Sequence, residues 1–101
     1  MSYYRWEVYL AKVLYEDMAQ YKIRPVVVIE DLGCFVLSLK MTGQPPRKGE
    51  YVLKEWAYAG LKKETTVRLS KKLKLHPNDM IKRLGALHTA DIVEIQKRIQ
   101  I

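Results

Sequence analysis

Hydrophobic positions along this chain recur mostly at intervals of two or run together in short blocks; intervals of three and four appear only near its end. An interval of two puts alternate side chains on one face of a strand, so the pattern predicts a β-rich chain closed by a helix. "RWEVYLAKVLY" alternates loosely and is rich in Val, Tyr and Trp, which predicts a strand over residues 6–14. "EDMAQYK" (16–22) is polar and reads as a loop. "RPVVVIE" is a continuous β-branched run, too short for a helix and suited to a strand buried on both faces. Pro25 has no N–H to donate, which places it at that strand's first residue, and it biases Arg24 toward an extended backbone. "EDLG" is a tight turn, and "CFVLSLKM" pairs back as the next strand.

"TGQPPRKGE" is the clearest loop, and a short strand, "YVLK", follows it. "EWAYAGL" fits one helical turn capped by Gly60. In "TTVRLSKKLKLH", Val67, Leu69, Leu73 and Leu75 all fall on odd positions and are expected on one face. Lys71 puts a cation on that apolar parity, so the strand is bulged or broken there, or Lys71 meets a polar feature. "HPND" is a turn, and "MIKRLGAL" a strand, with or without a short helix before it. "HTADIVEIQKRIQI" is a helix with Thr89 as N-cap. Its Ile92, Ile95 and Ile99 form a core-facing stripe, and Lys97 and Arg98 suit its C-terminal dipole. The sum is an α+β, β-rich domain: five or six short, mostly antiparallel strands in a small, strongly curved or barrel-like sheet, with a C-terminal helix over one side.

At 101 residues the chain is expected to be a single domain. No apolar run approaches the ~20 residues of a membrane span, and "MSYYRWEVYL" lacks the features of a secretory signal. Cys34 is the single cysteine, so no disulfide closes within the chain. That fits a reducing cytoplasm, and its place in "GCFVLSL" reads as a small buried side chain. The net charge of +7 favours a polyanionic partner. The surplus is local: from Lys62 to Arg83 there are eight Lys or Arg against Glu64 and Asp79.

Among candidate chemistries, no His or Cys cluster has metal-ligand spacing, and no glycine-rich phosphate loop is present. No cofactor is implied. His76 and His88 read as surface residues beside a turn and a helix. The first residue of a buried strand has a fixed backbone and a side chain that reaches solvent, which suits Arg24 for holding an anion. Its guanidinium matches a phosphate bidentately and acts as a charge stabiliser rather than a proton shuttle. The plainer reading pairs Arg24 with Glu16, Asp17 or Glu30. Thr42, where a strand meets the Pro-rich loop, offers a hydroxyl to a phosphate oxygen or bonds its own turn.

The order of these features resembles the MazF/PemK toxin family of toxin–antitoxin systems. "RWEVYLAKV" stands where that family carries an Arg-Gly-Asp start and an alternating strand, with Trp6 for the usual Gly and Glu7 for the Asp. "IRPVVVI" is very like its Arg-Pro followed by aliphatics, and "SLKMTGQ" falls where its strand ends in a Thr. "TTVRLSKKLKL", "IKRLGAL" and the closing helix follow in family order, most like the PemK branch. The loop "YEDMAQYKI" departs from the family in lacking a Gly-Ser.

The resemblance spans residues 5–99 and implies the curved sheet of the CcdB/MazF type, akin to an SH3-like barrel. It also implies a two-fold homodimer, an antitoxin partner, and metal-independent endoribonuclease action on single-stranded RNA that leaves a 2′,3′-cyclic phosphate and a 5′-hydroxyl. The family's essential Arg and Thr match Arg24 and Thr42. Glu16 and Asp17 become candidates for the base that activates the 2′-hydroxyl. Tyr15, Tyr21 and Trp56 are candidates for stacking on bases, and Lys22, Arg68, Lys71 and Lys72 for the phosphate track. The alternative is a member of the same fold that has lost cleavage and binds nucleic acid or a protein.

Overall fold

The computed structural model describes residues 2–15 and 20–99. Six strands are built: β1 (Glu7–Tyr15), β2 (Gln20–Asp31), β3 (Val36–Thr42), β4 (Tyr51–Val52), β5 (Thr66–Leu75) and β6 (Met80–Ala86). A single 3₁₀ turn, Pro77–Asp79, leads into β6, and the helix α1 (Thr89–Arg98) ends the described chain. All the strand pairs are antiparallel. They form one sheet in the order β4-β5-β3-β2-β1-β6. The two ends of that order do not pair, so the sheet curves without closing into a barrel.

Alternating side chains give the sheet apolar clusters on both faces. On one, Val8, Val27, Leu39, Met41, Val67 and Leu69 pack with Leu53, Ala59 and Leu87 and with Ile95 of α1. Ile95 is wholly buried, with Ile92 and Ile99 packed at its sides. Burying such a side chain contributes roughly 1.5–3 kcal/mol. On the other face, Ala11, Val13, Val26 and Leu75 form a smaller cluster.

The bulge expected at Lys71 is present, and it overturns the single face assigned to β5. Leu39 pairs with Lys72, but Lys40 pairs with Arg68, so Leu69, Ser70 and Lys71 are inserted opposite no residue of β3. An odd insertion reverses the alternation of a strand. Val67 and Leu69 therefore join the main core, while Leu73 and Leu75 turn to the second one.

Other expectations shift with the ladder. Pro25 does not open its strand: β2 begins at Gln20, inside the polar stretch read as a loop, and Pro25 pairs with Leu10 of β1. Cys34 lies in the exposed β2–β3 turn rather than in the core, because β3 starts only at Val36. The N-cap of α1 is His88, not Thr89; its Nδ1 accepts from the Ala90 N–H at 3.0 Å. His76 likewise accepts from the Asn78 N–H in a capping box completed by Asp79.

Asp91, in the first turn of α1, has a role beyond favouring the helix dipole. Wholly buried, it accepts from the Tyr51 hydroxyl at 2.5 Å and from the N–H groups of Lys54 and Glu55, each at 2.9 Å. Burial, and then this carboxylate, push the Tyr51 phenol well above its ordinary pKa. One side chain thus ties the helix to the chain leaving β4. We expect Asp91→Ala to orphan those donors and cost roughly 3 kcal/mol, a fall in Tm of roughly 12 °C or more. Calorimetry of the variant against wild type checks this, with Tyr51→Phe expected to show the smaller drop.

Candidate active site

β2 is longer than the partner that covers it on one side. Its ladder with β1 runs from Gln20 to Val27, but the β3 ladder reaches only as far as Val26, paired with Lys40. Before Val26 the chain is Ile23-Arg24-Pro25, and Pro25 has no N–H to extend a ladder. β3 separates there and runs on beside β5 as far as Thr42, paired with Thr66. The opening between the two strands is a cleft of about 700 Å³.

Ile23, Arg24 and Pro25 form one rim of this cleft; Lys40, Thr42, Gly43 and Gln44 form the other. The β2–β3 count, carried two residues beyond Val26↔Lys40, sets Arg24 level with Thr42 across the gap. Arg68 and Thr65 line it from β5 and the chain leading into it, and Gly60 to Lys63 form a further wall. The Arg24 guanidinium donates to the Ile23 carbonyl at 3.0 Å, which holds it near its own strand. The Thr42 Oγ accepts from the Gln44 N–H at 3.2 Å, so its own O–H remains a donor for a further group. Thr66 donates to the Gln44 carbonyl at 3.0 Å and fixes the same turn from below.

The cleft is strongly cationic. Arg24, Lys40, Lys62, Lys63 and Arg68 line it, and among the described residues no carboxylate or His does. Glu50 stands behind Arg68, its Oε2 at 3.7 Å from Nε, an ion-pair distance that leaves the buried Nε without a hydrogen bond. Among the described residues no three His, Cys, Asp or Glu side chains gather as metal ligands would.

The structure thus brings Arg24, Thr42 and Arg68 to one opening. Tyr21, Lys22, Lys71 and Lys72 do not line it. Tyr21 is exposed on the β1–β2 hairpin with Lys12 Nζ 5.2 Å from its ring centre. Lys71 and Lys72 are exposed at the β5 bulge, and Trp56 packs against the main core. The Tyr15 side chain, Glu16 and Asp17 lie outside the described residues. Sequence reasoning did not single out Lys40, Lys62 and Lys63, although the last two open the basic stretch already counted.

Against solved structures, the chain superposes on an endoribonuclease from Mycobacterial species in complex with its cognate antitoxin, at TM-score 0.72 and 13% identity, over 96% of this chain and 90% of that one. A second endoribonuclease from Mycobacterial species matches at TM-score 0.74 and 12% identity, over 97% and 88%. The Mycobacterium tuberculosis toxin MazF-mt6 matches at 0.73 and 17%, over 92% and 91%. The chain has the MazF toxin fold. At the level of sequence, no family model and no curated protein matches it.

The cleft depends here on two glycines. Gly60 has φ +86°, and a Cβ on it would lie 2.1 Å from the Leu84 carbonyl oxygen; one on Gly85 would lie 2.7 Å from that of Ala59. This close approach seats the Gly60–Lys63 wall against β6. Gly60→Ala combines backbone strain with a clash against main chain, and should cost roughly 2 kcal/mol or more. The expected Tm loss is roughly 8 °C or more by thermal unfolding, while the exposed Gly33, with open space around it, should lose less on the same substitution.

Proposed function

We propose that this chain is a metal-independent endoribonuclease toxin that cleaves single-stranded RNA, mRNA included, and is held in check by an antitoxin. The observation that carries this reading is the meeting of Arg24 and Thr42 on opposite rims of one cationic cleft. The MazF-type fold supports it, as does a solved neighbour that is an endoribonuclease bound to its cognate antitoxin.

In the reaction, a 2′-oxygen bonds to the neighbouring phosphorus as the bond from phosphorus to the 5′-oxygen breaks. The 2′-hydroxyl gives its proton to a base, and the departing oxygen takes one up. The products are a 2′,3′-cyclic phosphate and a 5′-hydroxyl, and no water is consumed. Negative charge gathers on the phosphate oxygens between the two states. A guanidinium from Arg24 and an O–H from Thr42, fixed on adjacent strands, stabilise that charge without reorganising at the moment of reaction. Glu16 or Asp17 supplies the base. The remaining cations hold the flanking phosphates, and Tyr21, with Lys22, Lys71 and Lys72, carries the strand beyond the cleft. The working form is a two-fold homodimer in the cytoplasm, where cleavage of mRNA inhibits growth as in PemK-like systems.

One observation favours the second reading, a non-cleaving binder: among the described residues the cleft's lining holds no carboxylate or imidazole to act as base. Long single-stranded RNA incubated with EDTA separates the two. Under the nuclease reading, wild type leaves fragments ending in 2′,3′-cyclic phosphate. Arg24→Ala then lowers kcat by roughly 10²–10³-fold, the cost of losing one preorganised donor, and Thr42→Ala by about tenfold or more. Intact RNA with a salt-dependent gel shift instead makes the chain a binder.

A further inference from the structure

The residue after Thr42 is a glycine whose backbone does not require one: Gly43 does not adopt a left-handed φ. What fills the place of its side chain is Lys63. A Cβ on Gly43 would lie 2.8 Å from Lys63 Cε and 2.8 Å from its Nζ, with no other group as near. The Lys63 side chain therefore crosses directly over the Gly43 backbone and sets its ammonium beside the Thr42 turn. Its own backbone is fixed there, because the Thr65 hydroxyl donates to the Lys63 carbonyl at 2.9 Å. Both residues line the cleft.

We propose that Lys63 is a phosphate-binding residue of this site and that Gly43 is the positioning residue that lets it arrive. The inference rests on the RNA-cleaving reading and deepens it by assigning a third group to the phosphate held between Arg24 and Thr42. A lysine ammonium is a compact charge on a flexible stem, so its aim depends on what the stem lies against. The groove left by the missing Gly43 side chain supplies that surface. A methyl group placed there displaces the flexible end of Lys63 and nothing in the main chain, so the fold survives while the aim is lost.

The test is a double-substitution cycle on single-stranded RNA. Lys63→Ala should raise KM about fivefold or more and reduce the slope of log affinity against log salt by about 0.7, the share of one phosphate contact on a single strand. Gly43→Ala should reproduce most of that loss with an unchanged Tm. In the Lys63→Ala background, Gly43→Ala should add almost nothing, since the group it displaces is gone. A Gly43→Ala cost that persists in that background assigns its effect to the Thr42–Gln44 turn and overturns the proposal. So does a wild-type KM and salt slope in Lys63→Ala while Arg24→Ala is inactive, an outcome that leaves the nuclease reading intact. Wild-type protein that neither cleaves nor binds RNA removes both.

Discussion

The site depends on a ladder that stops. Val26↔Lys40 is the last pair of the ladder between β2 and β3, whereas β2 stays paired with β1 on its other side for six residues more, back to Gln20. A strand supported on one edge keeps its extended geometry, so Arg24 has a fixed backbone and an open flank at once. Pro25 sits at the transition and has no donor with which to continue the ladder. Had β3 followed β2 to its start, the rims of the cleft would be closed by main-chain hydrogen bonds.

A second departure from regularity works with the first. The Leu69–Lys71 insertion bends β5 and reverses its faces. Arg68, on the near side of the insertion, pairs across to Lys40 and lines the cleft; Leu73 and Leu75, on the far side, complete the second apolar cluster. An unbulged β5 could not serve both, because the alternation would send either Leu75 or Arg68 to the wrong face. The bulge therefore connects packing to function: it lets one strand contribute a cation to the cleft and leucines to a core.

Much of this was legible in the residues, for reasons that differ by element. The strands and the helix were readable because their periods are set by local stereochemistry, and Ile95 could be assigned to the core from its spacing alone. The bulge was readable because a lysine broke parity, but its consequence was not, since which face a strand shows after a bulge depends on how many residues the partner skips. Cys34 looked buried because it adjoins an apolar run; the strand that buries that run starts only two residues later, at Val36. Asp91 looked like a dipole residue, because its three partners lie 36–40 positions earlier in the chain. The Trp6 departure is now physical: it is the third residue of a turn closed by Glu7 N–H to the Tyr4 carbonyl, with φ 73°, a conformation that favours glycine. Two backbone bonds, to the Val28 carbonyl and from the Leu87 N–H, together with packing of the indole on the main core, hold a residue that would otherwise avoid that geometry.

The cleft's charge follows from the same layout. Lys40 and Arg68 are direct cross-strand neighbours, and like charges so placed oppose folding. Glu50, largely buried, stands on the Arg68 side at 3.7 Å and offsets part of that repulsion, but it lies behind the lining rather than within it. The field in the opening therefore remains positive where Arg24, Lys62 and Lys63 converge. Among the described residues no carboxylate stands inside that ring. On the proposed function, a phosphodiester between Arg24 and Thr42 would bring one negative charge, shared by its two non-bridging oxygens, into this positive field, and that single charge is what the convergent side chains would stabilise as it grows.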